Sequence, residues 1–331
     1  MDFLTEIQIS DFKCFEGYKE DEKFKPFKAD GFKRVNLIGG KNNVGKTAFM
    51  EACYVNVYAQ DIYSFVYSLV DIKFTREALN ILSNELMNNK NIDRKKFLEL
   101  SNGILIISNL NKSSYKIEEN NGIKKYIFKF KDNDIEVNVN EFSLETLMLL
   151  NVWFIDNFGL SNSNIKELYS SIQKKDKEQF LNNILKEFDP QIENFKIIDG
   201  KPQCKVKDNY MEITELGDGT RHLVSIVISL FQTENGYLFI DEIDNGIHYT
   251  QLDKLWEIIL TVSKELNCQV FATTHSKECI ESYYRTAKKL EDEDITFILL
   301  TKLKSGKIHS STYNNELLEN SIEQDHEVRG W

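Results

Sequence analysis

The octapeptide Gly40-Lys41-Asn42-Asn43-Val44-Gly45-Lys46-Thr47 satisfies every fixed position of GxxxxGK[ST]. No other stretch restricts the fold as strongly, because this motif works only between a buried strand and the start of a helix. Both flanks are present. The apolar run Val35-Asn36-Leu37-Ile38-Gly39 reads as a buried strand, and Ala48 to Gln60 continues as a helix. The glycines let backbone N–H groups turn inward around phosphates, and the helix N-terminus adds partial positive charge. The backbone from Gly40 to Ala48, including Lys41, Asn42, Asn43, Val44 and Gly45, is therefore the candidate nucleotide-binding segment. Lys46 reads as the cation for the β- and γ-phosphates, and Thr47 as a hydroxyl for Mg2+. An ordinary Gly/Asn turn is the competing reading, and the agreement of motif with context decides against it.

Two further apolar runs end in polar tips. Tyr237-Leu238-Phe239-Ile240 delivers Asp241-Glu242, which suits a sheet whose ligands bind beyond the strand C-termini. Asp241 is the candidate Mg2+ ligand, directly or through water. Glu242 is the candidate to orient or deprotonate the attacking water. Alone, such a run would read as a strand entering a solvated turn; downstream of a P-loop it reads as catalytic. Gln269-Val270-Phe271-Ala272-Thr273-Thr274-His275-Ser276 repeats the pattern, and His275 is the candidate donor to the γ-phosphate. A lone histidine at a strand end is more often structural, and only the two earlier motifs raise its standing.

Leu216-Gly217-Asp218-Gly219-Thr220-Arg221 precedes an apolar helical face of Leu223, Ile226, Val227 and Leu230. Gly217, Asp218 and Gly219 before a helix N-terminus make a second anion-binding end. A plain capping turn through Asp218 or Thr220 explains them equally well. One chain cannot easily aim two such ends at one γ-phosphate.

The remaining chain reads as one domain over 1–331. Ile7 and Ile9 alternate with polar neighbours as in a half-buried strand. Residues 71–100 have helical spacing and form a helical elaboration. Short strands at 104–108, 115–118, 125–130 and 135–139, separated by turns such as Asn120-Asn121-Gly122, make an antiparallel β subdomain over 101–140. Residues 160–200 are polar, Lys-rich and mostly helical up to Asp189-Pro190, where proline forces a stop or an extended entry; the smaller helical subdomain is expected here. Beyond 216, helix 221–232, strand 237–240, helix 250–266, strand 269–273, helix 277–289 and strand 295–300 alternate, which implies a mainly parallel sheet. The fold class is α/β.

Composition narrows the function. At 331 residues and 41% hydrophobic content, the chain can bury a large core. A net charge of −11 disfavours a surface that coats nucleic acid, while leaving room for a local basic groove. Cys14, Cys53, Cys204, Cys268 and Cys279 form no CxxC pair, so they read as reduced thiols. No basic-then-apolar leader begins the chain and no run approaches the roughly 18 apolar residues of a membrane span, so a cytoplasmic protein is expected.

In order, Gly40–Thr47, Leu216–Arg221, Tyr237–Glu242 and Phe271–Ser276 resemble the Walker A, signature, Walker B and switch-histidine motifs of ABC-type ATPases. Within that class the chain is similar to the OLD-like AAA ATPases of bacteria, related to RecF and SMC heads. The resemblance is carried by Asn42-Asn43, Leu216–Thr220, Asp241-Glu242-Ile243-Asp244-Asn245-Gly246-Ile247-His248, Thr273–Ser276 and the opening Ile9-Ser10-Asp11-Phe12-Lys13-Cys14-Phe15. It implies a P-loop NTPase of ABC-ATPase head type that binds ATP and Mg2+. It also implies that two heads sandwich ATP, Gly217 and Gly219 of one meeting the γ-phosphate held by the other. Two features depart from the pattern. The signature is not LSGGQ, and no glutamine follows Phe154-Ile155-Asp156 until Gln173.

In OLD-family proteins a Toprim nuclease follows the ATPase. Only about thirty residues follow the last predicted strand, too few for such a domain. The Asp292-Glu293-Asp294 spacing falls in a charged turn expected to be solvated. The resemblance thus implies a slow regulatory ATPase of antiphage defence, controlling a separately encoded effector such as a Toprim nuclease. The alternative is a RecF- or SMC-like ATPase that clamps DNA during repair.

Overall fold

The computed structural model describes residues 1–16, 18–20, 23–73, 103–120, 123–131, 133–136 and 151–323. The helical elaboration expected at 71–100 lies outside the described residues beyond position 73. The chain opens with β1 (Glu6–Ser10), the hairpin β2 (Tyr18–Glu20) and β3 (Lys23–Lys25), then β4 (Phe27–Asp30) and β5 (Val35–Gly39). Helices α1 (Lys46–Tyr58) and α2 (62–73) precede a meander of β6 (Gly103–Ser108), β7 (Lys112–Asn120), β8 (Ile123–Phe130) and β9 (Asn133–Glu136). Next come β10 (Val152–Ile155), α3 (Asn162–Lys174), α4 (Glu178–Phe188), β11 (Ile192–Ile198), β12 (Lys201–Val206) and β13 (Asn209–Glu212). The last third runs α5 (Asp218–Gln232), β14 (Tyr237–Ile240), α6 (Leu252–Glu265), β15 (Gln269–Thr273), α7 (Lys277–Lys289), β16 (Ile295–Lys302), β17 (Ile308–Tyr313) and α8 (Asn315–Glu323).

The central sheet has the order β10-β14-β15-β5-β16-β17 and is parallel except for the edge strand β17. Its inner strands read as unbroken apolar runs because both faces are covered. In β14, Leu238 and Ile240 join the core built with α5, α6 and α7, whereas Tyr237 and Phe239 join the core around α1. A second sheet, β4-β1-β6-β7-β8-β9, is antiparallel throughout. The meander read over 101–140 is therefore continuous with the N-terminal strands.

Helix α1 contributes to the apolar core shared by these two sheets, and every residue from Phe49 to Tyr58 is buried. Burial on all sides explains why its sequence shows no amphipathic stripe. The segment read as mostly helical up to Asp189-Pro190 holds α3 and α4, and at Pro190 the chain makes the extended entry that proline allowed. Residues 192–198 are the first strand of a small antiparallel sheet, β11-β12-β13.

One reading of the charged turn is overturned. Asp292 is 7% exposed, and its carboxylate accepts a hydrogen bond from Arg34, itself 4% exposed. The same guanidinium donates to the Leu260 carbonyl at 3.0 Å and to Ser263 Oγ, tying the start of β5 to α6 and to the entry of β16. The turn looked solvated because Arg34, its partner, lies 258 residues away. Arg34→Ala would leave a buried carboxylate without its cation, and a loss of about 3–5 kcal/mol is expected by urea unfolding.

Candidate functional site

The sheet order places β14, β15 and β5 side by side, so the three polar tips read from the sequence emerge at one edge. Thr47 Oγ1, in the first turn of α1, lies 2.9 and 3.1 Å from the two carboxylate oxygens of Asp241. Asp241 is 3% exposed and also accepts a hydrogen bond of 2.7 Å from Thr273 Oγ1. Lys46 Nζ donates to the carbonyls of Gly40 at 2.8 Å and Lys41 at 3.0 Å, so it is drawn back against its own loop. Burial lowers the Lys46 pKa, and the negative charges of Glu242, Asp241 and Asp244 oppose that shift.

Glu242 follows directly, half-buried, with φ of +48°. That left-handed conformation is unfavourable for a side chain with a Cβ, yet it is held here by hydrogen bonds. The Glu242 amide donates to Thr273 Oγ1 at 2.8 Å, and the Ile243 amide to the Thr273 carbonyl at 3.0 Å. His275 is exposed in the link between β15 and α7, next to Thr274, whose hydroxyl donates to Asp244 at 2.7 Å.

The loop geometry explains its glycines. Gly45 caps α1 with φ of +103°, and a Cβ there would meet Cys14 Sγ at 2.6 Å. The exposed Cys14, beyond β1, thus lies against the P-loop, and its neighbour Lys13 pairs with the buried Glu51 of α1.

Residues 216–221 behave differently from a side-chain cap. Helix α5 starts at Asp218, three residues before the expected start, and neither Asp218 nor Thr220 caps it through a side-chain bond to the first amides. A Cβ on Gly219 would lie 2.0 Å from the Gly246 carbonyl oxygen, so this glycine permits a close contact within the protomer. Beside Gly217, by contrast, there is open space. Asn245 donates to the Asn157 carbonyl at 2.6 Å, and Arg221 to the Leu160 carbonyl at 2.7 Å. The signature turn, the turn after β14 and the loop after β10 therefore make one surface. Phe158, 68% exposed, and Tyr249, 65% exposed, stand on it.

Thr47 and Asp241 are hard oxygen donors already in contact, which suits Mg2+, an ion held by one or two protein oxygens with the rest from water and phosphate. Three residues that the sequence reading quoted for the resemblance without giving them a chemical task are central to the geometry: Thr273, Thr274 and Asp244. The Thr-Thr pair at the end of an apolar strand was the available signal.

Beneath the site, His222 of α5 is 1% exposed, and its ring nitrogens have no hydrogen-bond partner among the described residues. Burial pushes its pKa down to about 4, against a smaller pull upward from Asp241. A neutral histidine in the fold that protonates near 6.5 once unfolded gives stability present above pH 6.5 and lost as pH falls towards 4. The full loss is about 3 kcal/mol. His222→Leu is expected to flatten this dependence in urea unfolding series between pH 7 and 5.

The AAA ATPase domain family matches residues 68–280, well over half of the chain. A protein of Helicobacter pylori (strain ATCC 700392 / 26695) named ATP/GTP phosphatase is 25% identical over 94% of this chain and 98% of its own. The SMC head bound to the C-winged helix domain of ScpA is similar in structure, with a TM-score of 0.55 at 10% identity, covering 95% of this chain and 99% of that one. The Smc head with an extended coiled coil, bound to the C-terminal domain of ScpA derived from Pyrococcus furiosus, gives 0.52 at 10% identity, covering 98% and 100%. These likenesses assign the α/β fold to the ABC-type SMC heads. The chain belongs to the AAA ATPase domain family, and its activity is the hydrolysis of ATP.

Proposed function

We propose that this ATPase works as a homodimer or larger homo-oligomer that sandwiches ATP and controls a separate effector protein, such as a Toprim nuclease, in bacterial antiphage defence. The observation that carries the site is the contact of Thr47 with Asp241 beside Lys46 and Glu242. The loop amides of residues 40–48 and the Lys46 ammonium bind the triphosphate. Thr47 and Asp241 would hold Mg2+, which when bound would supply charge neutralisation for the phosphates. Glu242 orients the attacking water and takes its proton, and His275 donates to the γ-phosphate.

Gly217, Asp218 and Gly219 complete the site of a second copy. Open space beside Gly217 and the exposed Phe158 and Tyr249 on the adjoining surface support this arrangement, since aromatic residues are the usual anchors of interfaces. Partner control fits the two SMC heads, each of which has a ScpA domain bound. Among the described residues no helix is long and apolar enough to cross a membrane, which suits action in the cytoplasm. Within the chain, the unit proposed is a single head over 1–331.

The test is affinity purification from the native host with ATP present. Copurification of one effector, whose activity changes with nucleotide, is the expected result. Tight, salt-sensitive binding of duplex DNA by the isolated ATPase, with no effector, would instead favour the RecF-like clamp.

A further inference from the structure

We infer that Thr273 is a positioning residue for hydrolysis: its single hydroxyl sets both the metal-binding aspartate and the water-activating glutamate. This inference rests on the proposed roles of Asp241 and Glu242. Thr273 ends β15 and is fully buried. Its O–H donates to Asp241 Oδ1 at 2.7 Å, and its lone pair accepts the Glu242 N–H at 2.8 Å. A hydroxyl is the smallest group that donates and accepts at once. A valine of the same shape does neither.

The Asp241 carboxylate accepts from two hydroxyls, Thr47 and Thr273. A hydroxyl that lends a lone pair to a cation keeps its O–H for a carboxylate, so Thr47 and Thr273 would together orient Asp241 as a metal ligand. Neighbours that orient metal ligands in this way typically matter by factors of ten to a hundred. At Glu242 the same hydroxyl ties down a residue whose φ of +48° would otherwise relax towards the right-handed or extended regions. Thr273 thereby fixes where the general base stands. The next residue repeats the device, with Thr274 Oγ1 donating to Asp244 at 2.7 Å and accepting the Ser276 amide at 3.0 Å.

The experiment compares Thr273→Val, Thr273→Ser and Thr273→Ala with the parent chain. Steady-state kinetics and ATP affinity in EDTA are measured together with hydrogen exchange of the Glu242 amide in nucleotide-free protein. Thr273→Val is expected to lower kcat roughly 10- to 100-fold, to leave affinity in EDTA unchanged and to speed Glu242 exchange. Thr273→Ser should restore all of these. Turnover of Thr273→Val within twofold of the parent with unaltered exchange would overturn the inference. So would a serine variant as impaired as the valine one, because the methyl group and not the hydroxyl would then matter. If the valine variant does not fold, Thr273→Ala takes its place, with the same two outcomes. Glu242→Gln run alongside separates the two levels: full turnover there removes the reading of the site itself, whereas a slow Glu242→Gln with a fast Thr273→Val removes only the role of Thr273.

Discussion

Lys46→Ala is expected to weaken ATP binding by roughly 100-fold, about 3 kcal/mol, while the protein remains folded. The cation is engaged by two loop carbonyls, and burial disfavours its charge, so a triphosphate that reaches it replaces solvation the lysine lacks in the free protein. Alanine keeps the amide-lined loop and the helix N-terminus but removes that attraction. In the free protein water can replace the lost donor at the exposed Lys41 carbonyl, while the buried Gly40 carbonyl loses a partner at a cost of about 1–3 kcal/mol, which a folded chain of this size tolerates. Titration calorimetry with ATP, paired with thermal melting, separates binding from stability. An affinity within threefold of the parent would contradict the role of Lys46.

The second large effect is expected from Glu242→Gln. Glutamine matches glutamate in shape but cannot accept the proton of the attacking water, so turnover should fall by roughly 100- to 10,000-fold. ATP should remain bound, because Lys46, Thr47 and Asp241 are untouched and the Thr273 hydroxyl still holds the residue 242 amide. In the proposed sandwich uncleaved ATP would then accumulate between two copies, and light scattering should show an ATP-dependent rise in mass that the parent chain shows only transiently. Unchanged turnover would remove Glu242 from the chemistry.

The parts of this fold that could be read from sequence share one physical property. Strands β14 and β15 and helix α7 match their expected bounds, 237–240, 269–273 and 277–289, because a buried parallel strand is an unbroken apolar run and α7 carries a clear capping serine. The antiparallel strand β17 escaped notice because Ile308-His309-Ser310-Ser311-Thr312-Tyr313 is a partly exposed edge with no apolar run. The start of α5 was misplaced by three residues. Gly217, with φ of +97°, lets the chain enter the helix at Asp218, and the sequence marks no side-chain cap there.

At the site, the P-loop and the tips of β14 and β15 were legible because their motifs are local. Contacts between distant segments were not. Nothing near Asp292 signals Arg34, nothing near Gly219 signals Gly246, and the link from Thr273 to Asp241 and Glu242 exists only once β15 lies beside β14. The Gly219 contact also changes how the second-copy role should be probed. A bulky residue there would collide with the Gly246 turn of its own chain, so loss of association would not isolate an interface. Phe158 and Tyr249, exposed on the same surface, are the better sites for substitution.

The proposed mechanism requires that residues 40–47 grip a triphosphate which a second copy completes and the Asp241-Glu242 tip cleaves. A determined structure of Glu242→Gln with ATP and Mg2+ is the decisive experiment. Two copies are expected, with the γ-phosphate at Lys46 of one and facing Gly217 of the other, and the metal ion on Thr47 and Asp241. ATP bound away from residues 40–47, or held there by a lone protomer with Gly217 open to solvent, would refute the mechanism.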